Sequence, residues 1–260
     1  MSDTILIAEI NNGVLSITLN RPKANAFDTA LIKACQAAFK QAAENIEVRS
    51  VLLTGSGMIF SAGQDLTEVM QAEGLSFRKH LLETYNPLIL QIRQLEKPVV
   101  AAINGPIAGA ALGVALACDL RIASEKSQYM VGFNGIGLAP DSAVSLLLPA
   151  LIGLGRATEA TYFNQAISAE LALDWGLVNK LVPAETLMAE AQVWANKLAA
   201  GPTKTYGLTK KAFNKAILPN LEEVLDYEAY LQEIAGKDGE HKEGLTAFFE
   251  KRLPDYKNLK

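Results

Sequence analysis

Val99-Val100-Ala101-Ala102-Ile103-Asn104-Gly105-Pro106-Ile107-Ala108-Gly109-Ala110-Ala111-Leu112-Gly113 begins as an apolar, partly β-branched run and ends as a run of very small residues. Its first five residues have the pattern of a strand buried on both faces. Asn104-Gly105-Pro106 breaks that strand, and the small residues lead into the apolar run Val114 to Cys118. Small side chains let a second backbone, or a ligand, approach the start of a helix closely. The first N–H groups of a helix have no internal partner and carry the positive end of its dipole. They therefore suit an oxygen gaining negative charge. The same residues also suit a tightly packed strand-to-helix turn that binds nothing.

Outward from this stretch, strands and helices alternate. Leu15, Ile17 and Leu19 alternate with Ser16 and Thr18, the period of a half-buried strand. With Ile5 to Ile10 and the turn Asn11-Asn12-Gly13 they predict a hairpin. Asp28 is placed to cap a helix running to Ala43, and Val51 to Thr54 is a short strand. A second small-residue turn, Phe60-Ser61-Ala62-Gly63-Gln64-Asp65-Leu66, again leads from a strand into a helix. The pattern predicts one long helix over Ser76 to Leu95, bent or broken at Pro87. Short strands are expected at Leu120 to Ala123, Gln128 to Val131 and Val178 to Val182, with a loop over Phe133 to Asp141. From Ala184 onward the chain reads as almost wholly helical, which gives an α/β core over 1–200 and a helical region over 201–260.

Composition narrows the function. Half the residues are apolar and 20% are charged, the balance of a well-cored soluble protein. Lys+Arg 24 against Asp+Glu 28 gives a net charge of −4, which offers no general support for nucleic-acid binding. Cys35 and Cys118 lie in apolar contexts and are expected to be reduced core residues, as in a cytoplasmic protein. The acidic start Met1-Ser2-Asp3-Thr4 has no signal-peptide pattern, and no apolar run reaches a membrane span. His80 and His241 have no Cys or His at ligand spacing, so no metal site is expected and both are taken as surface helix residues. The glycine spacing Gly105, Gly109, Gly113 does not fit a dinucleotide fingerprint. A Walker lysine and a serine-hydrolase elbow are also absent.

The two small-residue turns, around Ala62-Gly63 and Gly109-Ala110, can each present a backbone N–H. Two such donors aimed at one oxygen stabilise the oxyanion of an enolate or acyl intermediate.

Leu19-Asn20-Arg21-Pro22 with Asn25-Ala26, the Phe60 to Leu66 phrase, Lys97 to Gly105 and Ala117-Cys118-Asp119 resemble the enoyl-CoA hydratase/isomerase (crotonase) superfamily over nearly the whole chain. The resemblance implies a spiral of ββα units followed by a helical trimerisation region, hence a homotrimer or dimer of trimers. It implies an acyl-CoA ligand, no cofactor beyond that coenzyme A, and thioester-oxygen bonds from the N–H groups of Ala62 and Ala110. The two glutamates of the family's hydratases fall here on Gly113 and Phe133, neither of which transfers a proton. Gly137-Leu138-Ala139-Pro140-Asp141-Ser142 is instead similar to the ring-expanding 1,2-epoxyphenylacetyl-CoA isomerases of phenylacetate degradation, as are Tyr85-Asn86-Pro87-Leu88 and the segment from Glu243 to Phe248. Ser142-Ala143-Val144 departs from that branch, where glycine more often follows the serine or cysteine.

Asp141 is thus the expected acid/base. Apolar neighbours such as Phe133, Ile136, Leu138 or Leu146 would raise its pKa by desolvation. Following Pro140, it is equally placed to cap a helix beginning at Ala143. The resemblance further implies that Lys23, Ala24 and the loop Ala62, Gly63, Gln64, Asp65, Leu66 meet the coenzyme. It places Gly109, Asn86 and Phe133 at the acyl pocket, and Phe249, Lys251 and Arg252 near the CoA phosphates. The expected activities are ring isomerisation of an epoxyphenylacetyl-CoA or 3-enoyl-CoA to 2-enoyl-CoA isomerisation. The alternatives are a hydratase or other lyase of the family, an aryl dehalogenase using the same aspartate as nucleophile, and a non-catalytic or RNA-binding relative.

Overall fold

The computed structural model describes residues 4–71, 74 and 76–259, so Met1 to Asp3 of the acidic start lie outside it. Among the described residues there are nine strands: β1 (Leu6–Asn11), β2 (Val14–Leu19), β3 (Ser50–Gly55), β4 (Val99–Ile103), β5 (Ile107–Ala108), β6 (Leu120–Ser124), β7 (Gln128–Met130), β8 (Ile167–Ser168) and β9 (Lys180–Val182). Six form one sheet in the order β1-β2-β3-β4-β6-β9, and β5-β7-β8 form a second, smaller one. The β1–β2 hairpin turns at Asn12 and Gly13, both at positive φ, as its sequence demands. All other pairings in the large sheet are parallel.

The strand β4 lies inside this sheet, between β3 and β6. Its Val99, Ala101 and Ile103 enter the main core, while Val100 and Ala102 face a second core on the opposite side. That two-sided burial is why the run is apolar without alternation. Helix α9 (Leu187–Ala200) covers the second face with Ala191, Ala195 and Ala199. The main face is covered by α1 (Thr29–Glu44), whose N-terminus Asp28 caps through a 2.7 Å bond from the Leu31 N–H. Short α2 (Leu66–Gln71) follows the first small-residue turn. Cys35 and Cys118 are both buried and unbridged.

The single helix expected over Ser76 to Leu95 is two helices, α3 (Phe77–Glu83) and α4 (Tyr85–Gln94), joined at Thr84. The break precedes Pro87 because a proline is tolerated in the first turn of a helix, where its missing N–H leaves nothing unmade. The Glu83 carbonyl, left without a donor by Pro87, accepts from Lys33 and Gln36 of α1, and Gln36 also donates to the Thr84 carbonyl. Beyond the second small-residue turn come α5 (Ala110–Ala117), α6 (Val144–Ile152), α7 (Leu154–Tyr162) and α8 (Ala169–Asp174). The last three helices are α10 (Thr203–Ile217), α11 (Leu221–Ala235) and α12 (Gly239–Glu250). Lys210 of α10 is buried and bonds Asp119 at 2.9 Å, tying this helical region to the end of α5. Helices α11 and α12 close over the loop that leads to α6, and so complete the walls of a cavity.

Candidate active site

The two small-residue turns run side by side. Ser61 and Ile107 form a parallel bridge, and the Ala108 N–H donates to the Ser61 carbonyl at 3.1 Å. Gly63 has φ +84°, and a Cβ there would lie 2.6 Å from the Ala108 carbonyl oxygen, so only glycine permits this approach. Three residues beyond the bridge, the chains reach Gln64 and Ala110. Among the described residues, neither backbone N–H has an acceptor. Both residues line one cavity of about 470 Å³. Ala62, the expected partner of Ala110, is corrected by the geometry: its N–H donates to the Ala24 carbonyl at 3.0 Å and is unavailable. The free donor lies two residues further on.

The Gln64 side chain is fixed in turn. Its Oε1 accepts from the Tyr85 hydroxyl at 2.8 Å, and its Nε2 donates to Glu68 at 3.0 Å. On the other side, Arg21 pairs with Asp28 at 2.9 Å and Asp65 at 2.7 Å. Burial would push the Asp65 carboxyl up, but the Arg21 and Thr67 hydrogen bonds outweigh it and hold the carboxyl below its usual range. Asp65 is thereby a braced anion rather than a proton carrier.

Of the residues singled out by sequence, Ala62, Gln64, Asp65, Leu66, Gly109, Ala110, Phe133, Asp141 and Phe249 line this cavity. Gly63 stands behind them. Lys23, Ala24, Asn86 and Lys251 lie outside its lining. Lys23 and Ala24 belong to a left-handed run with Asn25, at φ 62°, 73° and 51°. Asn86 is buried on the far side of α4, where its Nδ2 donates to the Leu225 carbonyl of α11 at 3.0 Å. Lys251 ends α12 in a left-handed conformation with its side chain exposed, and Arg252 is paired with Glu243 and Glu250.

The histidines reverse the sequence expectation. Both line the cavity; His241 is buried and His80 half-buried. His80 meets Gln64 Oε1 at 3.3 Å, and burial lowers its pKa. His241 is buried, with Nδ1 2.8 Å from the Ile136 carbonyl and its ring edge-on to Phe77. Each sits on the inward stripe of a helix, a position that ligand-spacing rules do not address.

Asp141 lies deep in the same cavity with Phe133, Ile136 and Leu138, and is only 7% exposed. Leu146, the fourth expected neighbour, is not in the lining. Burial raises the Asp141 carboxyl to about 6, against the bonds it accepts from Ser142 Oγ and Gln232 Nε2, both at 2.7 Å. Its side chain does not cap α6. That helix begins after Ala143, and the capping carboxylate is Glu228 of α11, which accepts the Ala143 N–H at 2.8 Å, the Ser145 N–H at 3.1 Å and the Ser145 hydroxyl. Burial raises Glu228 to about 7 despite these donors. Neither Glu228 nor Gln232 stood out in the sequence. The available signal was their place on the buried stripe Leu221, Leu225, Glu228, Ala229, Gln232, where a polar residue must have a partner.

Gly113 does more than lack an acid. A Cβ there would fall 2.3 Å from the Ser142 carbonyl oxygen and 2.7 Å from Ser142 Cβ. The turn that carries Asp141 fills the space a side chain at 113 would need.

The family model for enoyl-CoA hydratase/isomerase matches residues 9–259. The chain belongs to the enoyl-CoA hydratase/isomerase (crotonase) family. It is 36% identical to the 1,2-epoxyphenylacetyl-CoA isomerase of Escherichia coli K12, over 96% of this chain and 97% of that one. It is 39% identical to a probable enoyl-CoA hydratase of Rhodobacter capsulatus, over 95% and 96%. The crystal structure of an enoyl-CoA hydratase from Mycobacterium avium subsp. paratuberculosis superposes with a TM-score of 0.89 at 35% identity, covering 98% of this chain and 99% of that one. The paired turns and the cavity between them therefore sit on a crotonase fold, and the protein is an enzyme of that superfamily.

Proposed function

We propose that this crotonase-family enzyme is an acyl-CoA isomerase. The substrate's thioester oxygen is held by the backbone N–H groups of Gln64 and Ala110, and the migrating proton is carried by Asp141. The observation that carries this reading is the cavity's chemistry: among the described residues, two N–H groups without acceptors, and a buried carboxyl with a pKa of about 6 that no cation neutralises. As a carboxylate, Asp141 takes a proton from the α carbon of a 3-enoyl-CoA. The electron pair moves onto the thioester oxygen as a dienolate, which the two N–H groups stabilise. The Asp141 acid then returns the proton to the γ carbon, leaving a 2-enoyl-CoA. One carboxyl suffices because one proton leaves and returns.

The same enolate-holding site suits ring isomerisation of an epoxyphenylacetyl thioester, the substrate named for the Escherichia coli relative. Leu66, Phe77, Phe133, Ile136 and Leu138 supply the apolar wall that an acyl chain or an aromatic ring needs. No cofactor is required beyond the coenzyme A of the substrate. Hydration is disfavoured because position 113 bears no carboxylate and has no room for one. Leu154, Tyr162 and Phe163, each about 70% exposed or more, offer apolar surface for the homotrimer expected from sequence.

The test is Asp141→Asn with trans-3-hexenoyl-CoA. Isomerisation should vanish while affinity for the acyl-CoA stays within about threefold, and full activity would overturn the assignment. Hydration of crotonyl-CoA by the native enzyme should be very slow; turnover at a hydratase's rate would overturn it equally.

A further inference from the structure

Asp141 is followed by two consecutive non-glycine residues in the left-handed region, Ser142 at φ 56° and Ala143 at φ 62°, both fully buried. Such conformations persist only where the surroundings impose them. Here α11 does so with two residues one turn apart. Gln232 donates to the Asp141 carboxylate, and Glu228 takes the Ala143 and Ser145 N–H groups on the other side of the turn. Glu228 is not among the residues that line the cavity, and the hydrogen bonds to the Asp141 carboxylate come from Ser142 and Gln232 instead. Its donors are all on the turn and the first residues of α6.

We infer that Glu228 is a positioning residue: by clamping the left-handed turn Ser142–Ala143 against α11, it aims the Asp141 carboxyl at the reacting carbon. The inference rests on Asp141 being the proton carrier. It accounts for a buried carboxylate with, among the described residues, three donors and no cation at hydrogen-bond distance, at the start of a helix whose own residues provide no side-chain cap. It also explains how the turn is kept pressed against Gly113. Without the clamp, the turn relaxes toward ordinary φ values and carries Asp141 with it. A displacement near 1 Å at a reacting group suffices for a loss of about 10² in rate.

The experiment compares Glu228→Gln, which keeps one acceptor oxygen, with Glu228→Met, which keeps the shape and no acceptor. With trans-3-hexenoyl-CoA, kcat should fall about threefold in the first and at least thirtyfold in the second, with KM within threefold of the native value in both. A Glu228→Met enzyme with kcat within threefold of native overturns the inference, and so does one whose KM rises in step with its fall in kcat. If Glu228→Met does not fold, amide hydrogen exchange in Glu228→Gln decides: protection should drop at Ala143 or Ser145, and unchanged protection at both overturns it. Failure of the native enzyme to isomerise the 3-enoyl thioester would refute the proposed function instead, and the exchange measurement would still test the clamp.

Discussion

Replacing Asp141 with asparagine should make the protein more stable while it destroys the proposed activity. Burial holds the Asp141 pKa at about 6, against its usual 3.8. The folded chain therefore keeps this proton more tightly than the unfolded chain does. The resulting destabilisation is absent below about pH 3.8, grows as pH rises through the window to about 6, and is complete above it. At about 1.36 kcal/mol per pH unit, a window of roughly two units corresponds to a ceiling of about 3 kcal/mol. Asparagine has no such charge, and its amide fits the surroundings. Ser142 Oγ can still donate to its oxygen. Gln232, whose buried Oε1 has no partner among the described residues, can turn its amide and accept from the new NH₂. The expected gain at pH 7.5 is therefore about 1–3 kcal/mol, seen as a higher urea midpoint with unchanged slope. At pH 4 the gain should shrink toward zero. A variant no more stable than the native protein at pH 7.5, or one stabilised equally at both pH values, would refute the claim that the carboxyl is held there at a cost.

Other outcomes follow from the same geometry. The pH profile of kcat/KM should have an acid limb near 6, since the carboxylate form of Asp141 starts the proposed reaction; a limb near 4 would mean that its burial is relieved in solution. Ala110→Pro removes one of the two free N–H groups at the first position of α5, where proline is well tolerated, so kcat should fall about 10²–10³-fold with the fold intact. Gly113→Glu should not create a hydratase. The new side chain must displace the Ser142 turn, so isomerisation should be lost and the urea midpoint should drop. Sedimentation should show a homotrimer or a multiple of one; a monomer at micromolar concentration would leave the exposed face of α7 without a role.

Much of this was legible in the sequence wherever the deciding interaction is local. The Asn12-Gly13 turn, the Asp28 cap and the two-faced β4 strand each follow from a few consecutive residues. So did the two small-residue turns and the carboxyl at 141. The register between those turns was not legible. It is fixed by the bridge Ser61 to Ile107, formed by segments far apart in sequence, and it moves the free donor from Ala62 to Gln64. The histidines, Asn86 and Glu228 were missed or misplaced for a related reason. Their surroundings come from α3, α4, α11 and α12 packing on one another, on the Gln64 turn and on the loop and helix start around Asp141, and a helical period shows which face is buried but not what it meets.

The contact between Gly113 and Ser142 gives the site a historical direction. A glutamate at 113 and the left-handed turn at 142 compete for one volume, so a carboxylate at 113 and Asp141 in its present place exclude each other. Under the proposed isomerase reading, a glutamate gained at 113 alone loses the placement of Asp141 before water addition is gained. The intermediate would be an acyl-CoA binder without turnover. A path between the two activities has to change the loop and the helix start together, which makes this small steric contact a barrier to switching function one residue at a time.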